Sequence, residues 1–307
     1  MTYPMSWRRH ARRAAVAATC MTALCAGASA PALPSPAQLA ALAFPGWSDS
    51  TAGRVHSATL PPLPGMARGI YAGWSTGPNR VLVEPKLVVR TDASHLTLIA
   101  GLVPAGDDGR ANTTHATPMA LAAYQFEQRG TAWGVTGRQG IFALRGFSGA
   151  AAVREVALAA RRRAVAVEYG SCWQGYCGTW LAVYEAGRDM VRRDPAVELA
   201  LSGINVDSAP DCQRRLAPPV KPHASDPSAR DGGGSTTDAH DCYAIESTWT
   251  IDATHEQPGD LTIHYQGAIS RAEAPAAPPS AIDQREILRY GNGKYRAVSG
   301  FSPVPAI

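Results

Sequence analysis

VLVEPKLVVRTDASHLTLIAGLV, residues 81–103, carries the clearest indication of the fold class. Apolar and β-branched residues fill 81–89 and 95–103, and a polar segment, Thr91 to Ser94, lies between the two runs. Two such runs joined by a short polar segment predict an antiparallel hairpin. Similar runs recur along the chain, each ended by glycine, proline or a polar loop. They do not alternate with helical segments of about 10–15 residues, so a doubly wound α/β fold is not expected.

Residues 150–168, AAAVREVALAARRRAVAVE, fit two structures. The alanines, arginines and glutamates suit a helix, whereas the alternating run that leads into Cys172 suits a strand. We favour two strands that turn at Arg161–Arg163. A weak echo between residues 133–146 and 249–267 further indicates repeated hairpins. The sequence therefore predicts an all-β protein of short antiparallel strands and hairpins, with a propeller-like or double-sandwich architecture.

The N-terminus has the three-part pattern of a secretory signal peptide. Four arginines precede about 15 small or apolar residues, and Ala28-Ser29-Ala30 supplies a small-x-small cleavage site. The apolar run is shorter than the roughly 20 residues that a membrane span needs. We therefore expect residues 1–30 to be removed by cleavage after Ala30, which leaves a periplasmic or secreted protein.

Cleavage would make the mature chain electrically neutral. Residues 1–30 contain four arginines and no acid, so Lys plus Arg falls from 29 to 25 and equals the 25 Asp plus Glu. A neutral chain has no electrostatic footprint for nucleic acid or for an anionic membrane surface. No nucleic-acid partner is expected, and no transmembrane segment is expected after cleavage.

Four cysteines remain in the mature chain: Cys172, Cys177, Cys212 and Cys242. An even number in an oxidising compartment indicates disulfides, and four cysteines allow three pairings. Proximity in the chain favours Cys172–Cys177 and Cys212–Cys242. The spacing lacks the second close cysteine pair of a zinc ribbon, and the ligand types in residues 238–242 lie beside a disulfide cysteine, so no metal and no cofactor are predicted.

The remaining composition divides the chain into segments. Residues 31–65 are rich in proline and alanine and predict an extended lead-in. The other segments are an all-β body at 66–270 with a disordered-looking insert at 213–241, a linker at 271–282, and a C-terminal hairpin and tail at 283–307.

The octet SCWQGYCG, residues 171–178, predicts a hairpin closed by a disulfide, with residues 173–176 as its loop. Trp173 and Tyr176 would lie at its tip, and Trp74 lies in another predicted turn. Exposed Trp and Tyr side chains suit contacts with sugars or proteins, so these three are the candidate binding residues. The functional hypothesis is an exported binding protein whose partner is a protein or a glycan of the cell envelope. The protein version would be an inhibitor or an immunity-type factor.

An alternative hypothesis is a secreted serine-type hydrolase. Residues 73–77, GWSTG, match the G-x-S-x-G pattern, with Ser75 as nucleophile and Asp252 and His264 as its partners in hydrolase order. However, Pro78 and a strand pattern follow, where a hydrolase has a helix. The motif is therefore better interpreted as a β-turn, and a binding protein is favoured over an enzyme.

Overall fold

The computed structural model describes residues 33–63, 73–75, 77–208, 210–217 and 240–305. Within these ranges almost every strand pairs antiparallel with the next strand along the chain. The predicted signal peptide, residues 1–30, and residues 218–239 of the predicted insert lie outside the described residues.

The first sheet is a five-stranded meander. Its strands are β1 Val55–Thr59, β2 Pro78–Arg90, β3 His95–Pro104, β4 Met119–Arg129 and β5 Ala132–Arg145. The hairpin predicted from residues 81–103 is confirmed, because β2 and β3 pair from Val81 with Pro104 to Arg90 with Leu96. The register shifts between Pro85 and Leu87, as expected where proline supplies no N–H to the ladder.

The second sheet has eight strands, again in chain order, and curls into a half-barrel. Its strands are β6 Ala152–Ala159, β7 Arg162–Trp173, β8 Tyr176–Ala186, β9 Val197–Ile204, β10 Cys242–Ile251, β11 Leu261–Ser270, β12 Ser280–Gly291 and β13 Lys294–Ser299. Residues 150–168 form the β6–β7 hairpin, so the two-strand interpretation of this segment is confirmed. The curl brings the last strand back towards β9, since the Tyr295 N–H donates to the Ala196 carbonyl at 2.7 Å.

The two sheets share one buried layer. Phe142, Ile99 and Leu121 of the first sheet pack with Val165 and Tyr184 of the second. Each sheet also buries its opposite face, in clusters centred on Phe126 and Leu98 in the first sheet and on Ile263 and Tyr265 in the second. An all-β fold with two disulfides is thus confirmed, and the described residues form two stacked sheets rather than a ring of blades.

The lead-in differs from its prediction, because it contains a helix, α1 Pro36–Ala43. Ser35 Oγ accepts from the Gln38 N–H at 3.2 Å, and Gln38 Oε1 accepts from the Ser35 N–H at 2.7 Å, which forms a capping box. Proline is favourable at the first helical position, where its missing N–H has no partner to lose. Leu39, Ala40 and Ala43 then bury against the first sheet.

The C-terminal region also belongs to the second sheet over a longer range than expected. Strand β12 begins at Ser280, inside the predicted linker, and pairs with β11 over its first nine residues. β12 and β13 complete the second sheet through a turn at Asn292 and Gly293, both with positive φ.

A second short helix, α2 Pro210–Leu216, occupies the start of the predicted insert. Among the described residues, none of the helices has the length and hydropathy to cross a membrane.

Candidate functional site: an aromatic ledge on the second sheet

The β7–β8 hairpin is tighter than its sequence predicted. Cys172 pairs with Cys177 and Trp173 with Tyr176, so only Gln174 and Gly175 form the turn. Both turn residues have positive φ, 49° and 82°, which is the backbone of a type I′ turn. The Cys172–Cys177 disulfide is confirmed and joins the two strands directly behind the turn. Trp173 and Tyr176 are therefore strand residues whose positions are fixed by the ladder.

The turn is also held from outside the hairpin. A Cβ added to Gly175 would lie 2.4 Å from the Asp207 carbonyl carbon and 2.4 Å from the Ser208 nitrogen. The turn therefore rests directly on the backbone that follows β9, an approach that only glycine permits. Ladder, disulfide and this contact together make the hairpin tip a rigid platform.

One face of this hairpin changes from core to surface along its length. The period of two places Tyr169, Ser171 and Trp173 on the same face as their cross-strand partners. Those partners are Trp180, Gly178 and Tyr176, respectively. Towards the other end of the hairpin the same face carries Val165 and Tyr184, which are buried between the sheets. The outer part of the face is thus a continuation of the buried layer.

The rings on this outer part form a continuous row, which we call the aromatic ledge. It consists of Tyr169, Trp180, Phe147, His115 and Trp173. Successive ring centroids are 5.8, 6.1, 5.9 and 5.6 Å apart in that order. His115 comes from the loop between β3 and β4 of the first sheet, and Phe147 comes from the segment that connects β5 to β6, so both sheets contribute to the ledge. Trp173 ends the row with 63% of its surface exposed, and Tyr176 beside it is 37% exposed.

Polar groups border the rings. His115 Nε2 lies 2.9 Å from Ser171 Oγ at the exposed end. At the inner end, Tyr169 Oη donates to Glu198 at 2.9 Å, and Glu198 accepts from Arg145 Nη2 at 2.7 Å. Burial, together with the Glu198 charge, raises the pKa of Tyr169, so its hydroxyl stays a neutral donor. The surface therefore combines apolar ring faces with the uncharged hydroxyls of Ser171 and Tyr169 and with an Arg145–Glu198 ion pair at the inner end.

Trp74, the third candidate binding residue, lies elsewhere. Only 3% of its surface is exposed, and its Nε1 donates to the Pro118 carbonyl at 3.1 Å. Its ring belongs to the core cluster of the first sheet. The structure thus brings Trp173 and Tyr176 together and places Trp74 in a packing role.

The candidate hydrolase residues have separate local partners. Ser75 Oγ donates to Asn79 Oδ1 at 3.1 Å, as in a side-chain-stabilised turn. Asp252 accepts from Thr254 Oγ1 at 2.7 Å, and His264 Nε2 lies 2.5 Å from Asp283 Oδ1. Among the described residues, no hydrogen bond links any two of Ser75, Asp252 and His264.

A cavity of about 670 Å³ lies where β5 faces the segment before β9 and the end of β12. Four of its charged lining residues pair with one another. Arg145 bonds to Glu198, and Lys294 Nζ lies 2.5 Å from Asp194 Oδ1. The charges at this cavity thus hold strands and loops together, whereas the outer end of the aromatic ledge exposes Trp173 to solvent.

Four ledge residues, Tyr169, Trp180, Phe147 and His115, were not predicted from the sequence. Tyr169 and Trp180 follow from extending the period of two inward from Trp173 and Tyr176, a signal that was present in the strand pattern. His115 is 56 residues from Ser171 in the chain and comes from the other sheet. Only the stacking of the two sheets brings it to the ledge.

A scan against protein-family models finds no match, and neither the curated proteins nor the solved structures yield one.

Proposed function

We propose that this protein is an exported binding protein of the cell envelope and that the aromatic ledge is its contact surface. The main support is the position of Trp173, a large apolar side chain that is 63% exposed at the end of a row of rings. Its hairpin is fixed by a disulfide and by the contact of Gly175 with residues 207–208. A rigid platform pays little conformational entropy on binding, which favours affinity.

The chemistry of the ledge favours a neutral glycan as the partner. Flat rings with polar neighbours suit a sugar, which has apolar C–H faces and a rim of hydroxyls. Ser171, His115 and Gln174 supply such polar neighbours at the exposed end. Protein hot spots combine Trp and Tyr with Arg, whereas the Arg145 guanidinium at the inner end of the ledge is already paired with Glu198. Export follows from the N-terminal pattern, and it predicts a mature N-terminus at Pro31.

The test is binding of the purified mature protein to a panel of neutral and anionic oligosaccharides, followed by calorimetry on any hit. Trp173→Ala should weaken binding at least tenfold, about 1.4 kcal/mol, without changing the unfolding transition. Phe301→Ala is the matched control, because Phe301 is an aromatic residue of similar exposure, 68%, outside the ledge. It should bind as the wild type does.

Two results would overturn parts of this proposal. If a partner binds Trp173→Ala and the wild type equally, the ledge is not the contact surface. If no saccharide binds, but the wild type and not Trp173→Ala recovers one protein from periplasmic extract, the ledge is the contact surface and the glycan assignment is wrong. Edman sequencing of the exported protein tests the cleavage site separately.

A further inference from the structure

Three side chains of types that bind metal ions lie close together where helix α2 meets the start of β10. One ligand atom each from Cys212, His240 and Cys242 lies within 4.8 Å of the other two. His240 Nε2 is 3.3 Å from Cys212 Sγ. Both cysteines are completely buried and form a disulfide in this structure. From the sequence, the ligand types in residues 238–242 are interpreted as holding no metal, and they are not connected with Cys212, which is 28 residues from His240.

Contacts other than the disulfide hold His240 in place. Arg215 lies one helical turn beyond Cys212, and its side chain is only 8% exposed. Its guanidinium donates to the His240 carbonyl at 2.9 Å and to the Ser270 carbonyl at 2.9 Å. These bonds tie α2, the segment before β10 and the end of β11 to one another.

A second set of bonds fixes the residues next to His240. Asn205 Nδ2 donates to the Asp241 carbonyl at 2.7 Å, and Asn205 Oδ1 accepts from the Tyr243 N–H at 2.7 Å. The Asp241 carboxylate accepts from the Ala272 N–H at 2.8 Å. The backbone from 240 to 243 is therefore anchored by hydrogen bonds besides the sulfur–sulfur bond, and these bonds would keep the three ligand residues near one another after reduction.

We propose that the Cys212–Cys242 bridge is the oxidised form of a zinc site made by two thiolates and the His240 imidazole. A dithiol reduces the bridge by two electrons and two protons and itself becomes a disulfide. Zn²⁺ then binds both sulfurs and displaces the two thiol protons to solvent. Two Cys and one His are ligands that zinc prefers, and a water completes the tetrahedron, as in zinc sites with three protein ligands. The site is closed to metal while the bridge is intact.

The experiment uses the Cys172→Ser/Cys177→Ser variant, in which Cys212 and Cys242 are the remaining mature cysteines. The protein is reduced with a phosphine, which does not compete for metal as a dithiol does, and titrated with Co²⁺ without oxygen. We expect thiolate-to-cobalt charge-transfer bands and tetrahedral visible bands that saturate at one Co²⁺ per chain and disappear when Zn²⁺ is added. The unreduced protein should show none of these bands.

His240→Ala in the same background should weaken Co²⁺ binding at least tenfold and change the visible bands. His255→Ala is the matched control, because the His255 side chain is 75% exposed in the loop after β10, and it should titrate normally. A second readout is thermal unfolding, since Zn²⁺ should raise the Tm of the reduced protein and have less effect on His240→Ala. Absence of the bands, identical binding by His240→Ala, or bands that form only in unfolded protein would each overturn the proposal.

Discussion

Gly175 is required for two reasons, its backbone conformation and its close contact with residues 207–208. The residue has φ of +82°, and a Cβ added to it would lie 2.4 Å from backbone atoms of Asp207 and Ser208. Gly175→Ala must therefore strain the turn and also push it away from that segment. We expect a loss of about 2–3 kcal/mol in the free energy of unfolding, measured by urea titration. Faster amide exchange around residues 173–176 should accompany the loss.

Gly130→Ala separates the two causes. Gly130 also has positive φ, +63°, but an added Cβ there would have no atom within 4 Å. This control should lose only the cost of backbone strain, about 1 kcal/mol. Equal losses at both positions would mean that the contact with residues 207–208 does not stabilise the hairpin.

Glu185 provides a pH-dependent contribution to stability. Burial alone would raise its pKa, but hydrogen bonds from Arg162 and Tyr290 and the Arg162 charge outweigh burial, so the pKa lies below its usual 4.5. A carboxyl with a lowered folded-state pKa stabilises the fold above its unfolded pKa, and this stabilisation is lost as pH falls through the folded value. At pH 7, Glu185→Gln should therefore be about 1–2 kcal/mol less stable than the wild type. Urea titrations at decreasing pH should show that the difference in stability between Glu185→Gln and the wild type shrinks once the pH falls below 4.5, the usual pKa of glutamate.

The control for this measurement is the exposed Glu256 in the β10–β11 loop. Glu256→Gln should leave the free energy of unfolding at pH 7 unchanged, because its side chain is exposed. A difference between Glu185→Gln and the wild type that is constant with pH would contradict the role assigned to the Glu185 charge.

At the scale of elements, the two disulfides should contribute unequally. Cys172–Cys177 closes a ring with a sequence separation of 5 inside an existing ladder, whereas Cys212–Cys242 ties α2 to β10 across a separation of 30. Chain entropy predicts stabilisation of about 2 kcal/mol for the short ring and about 3.7 kcal/mol for the long one. Cys172→Ser/Cys177→Ser should thus remain folded, and Cys212→Ser/Cys242→Ser should lose more free energy of unfolding in urea. If Cys172→Ser/Cys177→Ser lost more free energy of unfolding than Cys212→Ser/Cys242→Ser, the chain-entropy explanation would be contradicted.

The elements also show how far sequence reasoning reaches. The strands in residues 81–103 and 164–169 could be predicted from the sequence because apolar alternation and turn residues are local properties. Helix α1 was missed because prolines on both sides of Ser35 suggested extended chain, while Pro36 in fact begins the helix. In the aromatic ledge, Trp173 follows from the octet, as does its neighbour Tyr176, whereas His115 and Phe147 are brought to it by the way the two sheets pack and connect. The ligand cluster at Cys212 likewise depends on a fold that returns His240 to α2.

At the scale of the whole molecule, the layer between the sheets links their stabilities. Leu121 in β4 is fully buried there and shares its cluster with Tyr184 of β8. Leu121→Ala should cost about 2–5 kcal/mol, and thermal unfolding should remain one cooperative transition at a lower Tm. Hydrogen exchange should show β3 and β8 losing protection together. Separate transitions for the two sheets would contradict this shared core.

The strand order also bears on how the chain assembles. Because each strand within a sheet pairs with its predecessor, a chain that emerges N-terminus first can add every new strand to an edge that already exists. Pairing of sequence neighbours also keeps loop-closure entropy small and favours rapid folding. The contact of Tyr295 with Ala196 is different, since it spans about 100 residues and needs the last strand. The half-barrel can therefore acquire this closing contact only after β13 has been added to the sheet.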